Sequence, residues 1–267
     1  MSSNNVTFLD YVNSHFGPSS PTSPLYHYTT IDALVNGIIG TDERKEGKEI
    51  CLRATHCDYL NDTSEIRTGV NYLAQHCNEI ICDDAEKQKW GNFIKQNISQ
   101  WKKYVISLSE TDSSLPMWNT YANRGKGIVI GFKNLKSLNP TDLLLKCEYR
   151  EDHIKSKFND VQNSEERQYL CNLLYMYIPL ILKHKAYSYE EEVRLIGRFS
   201  GKVHFREKKG IIVPYKEVYL PKGNMTSITI GPAANQDVVE SSLKSFLGQR
   251  DFGHVEIYKS SIPYRDF

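Results

Sequence analysis

The sequence predicts an α+β protein, in which helices and mainly antiparallel strands are segregated along the chain. Amphipathic helical patterns dominate the first two-thirds of the 267 residues, and short strand-like runs dominate the last third. Ser200 and Gly201 separate two of these runs and indicate a β-hairpin. We find no internal repeat, and the order of elements does not favour a doubly wound sheet.

The composition limits the class of protein. Hydrophobic residues make up 40% of the chain, which is enough for a sizeable core, and the formal net charge is only +1. Such a charge gives no indication of tight nonspecific binding to polyanions. The sequence has no run near the ~20 apolar residues of a membrane helix, no signal-peptide pattern and no CxxC pair. We therefore expect a cytoplasmic protein without a membrane segment, a disulfide set or a metal site.

The chain is predicted to form one main domain preceded by an appendage. Residues 6–16 have the spacing of a short amphipathic helix. Residues 17–24, with the sequence GPSSPTSP, have the composition of a linker. We accordingly divide the chain into residues 1–24, a helix and linker, and residues 25–267, a single domain.

Local signals set the expected elements of the main domain. Thr30 is placed to cap the first helix, and the segment 61–65 resembles a capping box at the start of another. Pro179 should kink or end a later helix. The expected strands are 25–28, 50–54, 104–108, 127–132, 143–149, 192–199, 203–206, 213–220, 227–230 and 255–259, and the expected helices are 31–38, 63–81, 84–100, 115–121, 165–183 and 237–247.

The first motif that could carry chemistry surrounds His27, at the end of a strand and just before a helix. A histidine there can donate a hydrogen bond to a sugar hydroxyl, and the free N–H groups of the helix start suit a phosphate. The alternative is a hydrogen-bonded histidine between two packing tyrosines.

The second motif contains Glu190, Glu192 and Arg194. On a strand, residues two apart point to the same side. Two carboxylates on one face raise each other's pKa unless a cation or a ligand lies between them. An exposed ladder of charges is the alternative. Because an apolar strand follows, we place Glu192 at the edge of the core.

The third motif pairs Trp118 and Tyr121 with a glycine-rich turn at residues 124–127. An aromatic ring near such a turn can stack on a flat heterocycle. A stripe of core-facing residues on a short helix is the alternative. The turn lacks the spacing of a Walker phosphate loop.

The order of short motifs resembles that of a bacterial family of unknown function. Each motif is weak alone, and the specific signal is their order from Leu25 to Arg265. The motifs are LYHYTT, YLNDTSE, VISLSE, MWNTY with GKGIVIGF, YEEEVRLI, ITIGPAAN and SSIPYR. This family is similar to the ADP-ribosyltransferase fold, with a split antiparallel β-sheet and helices packed around it. Some relatives resemble toxins of phage-defence and toxin–antitoxin systems.

The resemblance to ADP-ribosyltransferases of the His-Tyr-Glu type implies NAD⁺ as the substrate and assigns four binding residues. His27 would bind the adenosine ribose, and the backbone of Tyr28 would hold the nicotinamide amide. Thr29 would lie near the second ribose. Tyr121 would be the stacking tyrosine, although its segment is predicted to be helical rather than a strand.

The resemblance also implies the catalytic pair. Glu192, the second acid of an ExE pattern, would stabilise the cationic ribose as nicotinamide departs, and Glu190 would orient the acceptor. Which of the two is catalytic stays open. The relatives imply an RNA acceptor, an antitoxin protein as a partner and no metal.

Two alternatives follow from the same residues. A metal-dependent nuclease would gather Asp62, Glu65, Glu190 and Glu192 around Mg²⁺, but Arg194 stands where an ExK pattern needs lysine. A non-catalytic binding module would use all these motifs as helix caps and core.

Overall fold

The computed structural model describes residues 8–20, 22–60, 66, 69–73, 103–135, 142–159, 176–208 and 210–264. These residues form helices around one ten-stranded sheet, so the predicted mixed α+β class is confirmed. The strands are β1 (Leu25–Thr29), β2 (Ile50–His56), β3 (Tyr104–Ser109), β4 (Ile128–Phe132), β5 (Leu143–Lys146), β6 (Glu192–Gly197), β7 (His204–Lys208), β8 (Ile211–Leu220), β9 (Met225–Ile230) and β10 (Glu256–Lys259).

The strands follow the order β10-β9-β4-β1-β3-β2-β8-β7, with β6 pairing with β3 and β5. The β9–β10 pair is parallel, and the other strand pairs are antiparallel. The result is a large, open, mostly antiparallel sheet.

The sheet divides along β3, and this division positions the site. One edge of β3 pairs with β6 over its whole length, from Tyr104 to Ser109. The other edge is shared, because β1 pairs with it at Ser109 and β2 pairs with it at Tyr104 and Val105. Residues 106–108 therefore lie at a gap between β1 and β2.

The helices follow local sequence signals closely. The side chain of Thr30 accepts a hydrogen bond from the backbone N–H of Ala33 at 3.1 Å, which confirms the predicted cap. The helices of the described residues include Phe8–Phe16, Ile31–Ala33 continuing as a π-helical turn at Leu34–Ile38, Leu115–Tyr121, Glu151–Asn159, 176–181 and Gln236–Gln249, with 3₁₀ turns at Cys57–Tyr59, Lys185–Glu190 and Lys222–Asn224.

Two large cores lie on opposite faces of the sheet, because side chains alternate along each strand. One face of β3 packs in a core with Leu243 and Leu247 of the C-terminal helix. The other face packs in a core with the 176–181 helix and the N-terminal helix. The central strands are therefore covered on both sides, which fixes the strands that border the gap.

Two expectations from the sequence are wrong. Ser200 and Gly201 do not form a hairpin turn, because β6 pairs with β3 and β5 whereas β7 pairs with β8. The turn between β7 and β8 contains Gly210, whose φ of +80° suits glycine. Strands are also not concentrated in the last third, since β1 to β5 all precede residue 150. The predicted helix at 84–100 and most of those at 63–81 and 165–183 lie outside the described residues.

Candidate functional site

One cavity of about 400 Å³ extends from the gap between β1 and β2. Its wall contains residues of β1, β2 and β3, together with side chains from the segments before and within β6. All six site residues predicted from the sequence line it: His27, Tyr28, Thr29, Tyr121, Glu190 and Glu192.

The His27 imidazole is held in the gap of the sheet. Its Nδ1 atom lies 3.1 Å from the carbonyl oxygen of Ser107 on β3. Burial lowers the pKa of His27 most strongly, the bond to Ser107 raises it and the charge of Arg206 lowers it further. The pKa is below its ordinary value, so the ring is neutral at pH 7. In that state Nδ1–H donates to Ser107 and Nε2 is an acceptor.

Tyr28 has a structural role through its side chain. Its hydroxyl donates to the carbonyl of Thr111 at 3.1 Å and accepts from the backbone N–H of Ser114 at 3.1 Å. Its ring meets Trp118 edge-on, with centroids 5.3 Å apart. Trp118 is fully buried, so it belongs to the core. The Tyr28 side chain thus fixes the segment after β3 against β1.

The two glutamates meet through a lysine that the sequence analysis missed. Lys183 Nζ lies 2.5 Å from Glu190 Oε2 and 2.7 Å from Glu192 Oε2. All three side chains are buried. The one sequence signal was that this lysine directly follows the apolar run 177–182, because a lysine that enters the core is almost always paired with an acid.

Glu192 is further fixed by Arg194. The guanidinium donates to both carboxylate oxygens at 2.9 Å, and it also donates to the carbonyl of Leu180 at 2.6 Å. Burial alone would raise the pKa of Glu192. The charges and hydrogen bonds of Arg194 and Lys183 outweigh burial and lower the pKa to about 2. Glu192 is therefore ionised throughout the physiological range.

Glu190 reaches this cluster by a route other than the one predicted. It ends a 3₁₀ turn instead of lying on a strand, and β6 begins at Glu192. Glu191 between them has a φ of 42°, in the left-handed region. The two acids therefore do not lie on one strand face, and that prediction is wrong. The turn still brings the carboxylates together, because it places both against Lys183.

Tyr121 completes the contacts of Glu190. It is the last residue of the Leu115–Tyr121 helix, as its sequence pattern predicts. Its hydroxyl donates to Glu190 Oε1 at 2.9 Å. The carboxylate of Glu190 therefore accepts from Tyr121 on one oxygen and from Lys183 on the other.

Charged side chains form two groups along the cavity. The first, called the acidic end after Glu190 and Glu192, also contains their partners Lys183 and Arg194. The second, called the basic end, consists of Arg53, Arg206 and Lys208 on β2 and β7. The basic end was not predicted, because Arg53 and Arg206 are 153 positions apart and only strand pairing through β8 brings them together.

Other motifs pack elsewhere. The glycine-rich turn contacts the segment after β9, where the N–H of Ala233 donates to the Gly125 carbonyl at 3.0 Å. Neither residue borders the cavity. The Nζ atom of Lys103 lies over the ring of Tyr177, 4.0 Å from its centroid. Asp62 and Glu65 lie outside the described residues.

The described part of the chain contains one cluster of candidate metal ligands. It joins the consecutive residues His56, Cys57 and Asp58. His56 Nδ1 accepts from the Asp58 N–H at 3.4 Å, as a helix cap does. Burial raises the pKa of Cys57 to about 12, so its side chain without a bound metal ion is a thiol at pH 7.

A family model matches part of the chain. No curated protein and no solved structure matches the chain. Within the described residues, no helix has both the length and the apolar character to span a membrane. Residues 117–195 match the family described as a protein of unknown function, DUF2971. The chain is thus similar to that family over the segment that contains Tyr121, Lys183 and the two glutamates.

Proposed function

We propose that this protein is an NAD⁺-dependent ADP-ribosyltransferase, with RNA as its acceptor and a role as a toxin or antiphage effector. One observation carries the proposal: His27 on β1 and the Glu190/Glu192 pair border the same cavity in a divided antiparallel sheet. That arrangement supports an ADP-ribosyltransferase-like fold. The acceptor, the biological role and an antitoxin partner rest on the resemblance of the motifs.

The chemistry of the lining residues fits NAD⁺ as a substrate. A cavity of about 400 Å³ is within the usual range for ligand pockets of ~300–1,000 Å³. The neutral His27 has Nε2 to accept a hydrogen bond from a ribose hydroxyl. Tyr121 and Thr29 border the same cavity, as expected for residues that contact the nicotinamide nucleoside.

The reaction would break the bond between the ribose C1′ and the nicotinamide nitrogen, which takes the electron pair. The acceptor would form a new bond to C1′ and release its proton to a carboxylate of the pair. Positive charge develops on the ribose, as in glycoside cleavage. A fixed carboxylate in a water-poor site stabilises that charge strongly.

Hydrogen bonding suggests how the pair divides its work. The Glu192 carboxylate accepts hydrogen bonds from two guanidinium nitrogens of Arg194 and from the ammonium group of Lys183. The Sγ atom of Cys147 is 3.6 Å from Glu192 Oε2. A carboxylate has about four lone-pair sites, so Glu192 has little capacity left for a substrate. Glu190 retains more, which favours Glu190 for the ribose and Glu192 for holding Lys183.

Labelled NAD⁺ offers the direct test. Wild type, Glu190→Gln, Glu192→Gln and the exposed control Glu256→Gln are incubated with total RNA, DNA and protein from cells. We expect wild type and the control to label RNA, and Glu190→Gln to lower the rate by about 10²–10³. Circular dichroism checks that each variant folds.

Two outcomes would overturn the proposal. One is that the wild type transfers no label to any acceptor. The other is that the wild type and both cavity variants label equally, as expected if the motifs are only caps and core. Activity that requires a divalent cation and ignores NAD⁺ would instead support the nuclease alternative.

A further inference from the structure

The part of the cavity formed by β2 and β7 carries two arginines. We propose that Arg53 and Arg206, at the basic end, form a binding site for the diphosphate of a nucleotide. This inference rests on the proposed function, because NAD⁺ is a nucleotide diphosphate. It goes further by identifying the residues that would recognise that group.

Strand register places the two arginines on the same face of the sheet. Thr55 on β2 lies opposite Tyr215 on β8, and Tyr215 lies opposite His204 on β7. Residues two apart share a face, so Arg53 and Arg206 both lie on the face of Tyr215. Their guanidinium carbons are 5.2 Å and 5.4 Å from the centre of that ring.

Within the part of the chain that the structure describes, the two arginines have no acidic partner. Among the described residues, neither guanidinium forms an ion pair with a carboxylate. Glu217 lies opposite Arg53 in β8, but its carboxylate accepts from the hydroxyl of Tyr219 at 2.6 Å. Asp32 also borders the cavity, and its carboxylate accepts a hydrogen bond from the side-chain amide of Asn36 at 2.7 Å. Both cations therefore remain available to an anion.

Arg206 also has hydrogen-bonding capacity in reserve. One NH group donates to the Thr55 hydroxyl at 2.8 Å, whereas the buried Nε has no hydrogen-bond partner among the described residues. Burial and then the charge of Arg53 lower the pKa of Arg206. Two like charges held together in this way are stabilised by an anion between them.

The pair matches a diphosphate better than a single carboxylate. Each guanidinium is a planar fork that binds a phosphate through two parallel hydrogen bonds, so two arginines can serve two linked phosphates. The charge of Arg206 is felt by His27, and both residues line the same cavity. A diphosphate at the basic end would thus extend toward the residue proposed to bind ribose.

Calorimetric titrations with ADP-ribose, ADP, adenosine and inorganic diphosphate test the site. The proteins are wild type, Arg53→Gln, Arg206→Gln and Arg206→Lys. The control variant is Arg150→Gln, because Arg150 is exposed and lies outside the cavity. We expect the two glutamine variants to bind ADP and ADP-ribose about 10- to 100-fold more weakly. Arg206→Lys should lose less, because it keeps the charge and loses the planar fork. Adenosine binding and the Arg150→Gln control should not change.

The inference is overturned if wild type binds adenosine and ADP equally, or if the glutamine variants bind ADP as tightly as wild type. The outcomes also separate the two proposals. Arginine-dependent binding of inorganic diphosphate and ADP without any transfer from NAD⁺ keeps the site and removes the function. Transfer that Glu190→Gln abolishes but the arginine variants leave unchanged keeps the function and removes the site.

Discussion

The acidic and basic ends of the cavity differ in whether their charged side chains are paired with opposite charges. At the acidic end, two buried carboxylates share Lys183 and Arg194, and each carboxylate accepts hydrogen bonds on both oxygens. At the basic end, Arg53 and Arg206 lie over one tyrosine ring and pair with no carboxylate of the described residues. Balanced charges hold side chains in place, whereas unbalanced charges are free to bind a ligand.

The same contrast predicts different sensitivities to mutation. Removing one partner of a buried, balanced cluster leaves a charge without compensation. Removing an exposed charge that has no partner leaves nothing buried behind. The acidic end should therefore determine stability and geometry, and the basic end should determine affinity.

The largest expected effect is on stability at the acidic end. Arg194→Met should lower the free energy of unfolding by about 3–5 kcal/mol, because Glu192 loses its bidentate partner inside the protein. Arg53→Met, at an exposed position of the basic end, should change it by less than about 0.5 kcal/mol. Urea unfolding followed by circular dichroism measures both. Equal losses would contradict the contrast between the two ends.

The next largest expected effect is a loss of folding stability at low pH. The pKa of Glu192 falls from 4.5 to about 2 on folding, so its contribution to stability is present above pH 4.5 and is lost as the pH falls toward 2. That contribution is of order 3 kcal/mol. Urea midpoints between pH 6 and 2 should show the loss in wild type.

Glu192→Gln provides the comparison for the acid experiment. The glutamine cannot titrate, so this variant should lack that part of the pH dependence whatever its stability at pH 7. The same slope in both proteins would mean that other carboxylates account for the acid sensitivity.

The smallest effect sharpens the role of Glu190. Tyr121→Phe removes the hydroxyl that donates to Glu190 and keeps the ring, so transfer from NAD⁺ should slow by roughly tenfold. Tyr189→Phe is the matched control, because Tyr189 packs in the same apolar cluster. Initial rates of NAD⁺ consumption are compared between the two variants. Equal rates in the two variants would show that the Tyr121 hydroxyl does not position the carboxylate.

Local chemistry explains which elements could be predicted. The cap at Thr30, the alternating strand at 104–108 and the helix at 115–121 each depend on residues close in sequence, and the structure contains all three. The hairpin at Ser200 failed because its turn residues were compatible with any loop. Instead, β6 pairs with β3, whose residues lie 83 or more positions earlier in the chain.

The site shows the same division. His27, Tyr121 and the two glutamates could be singled out because their residue types and short spacings suggest chemistry. Lys183 and the Arg53/Arg206 pair could not be assigned in advance. Lys183 becomes a site residue only because the fold buries it between two acids. Arg53 and Arg206 become neighbours only because β8 lies between their strands.

The sequence alone therefore determined the mixed class of the fold, most local elements and the residues able to do chemistry. The tertiary structure decided that those residues share one cavity. The physical reason lies in β3, whose single free edge is divided between β1 and β2. Hydrogen bonds between distant strands create that gap, and no short stretch of sequence encodes it.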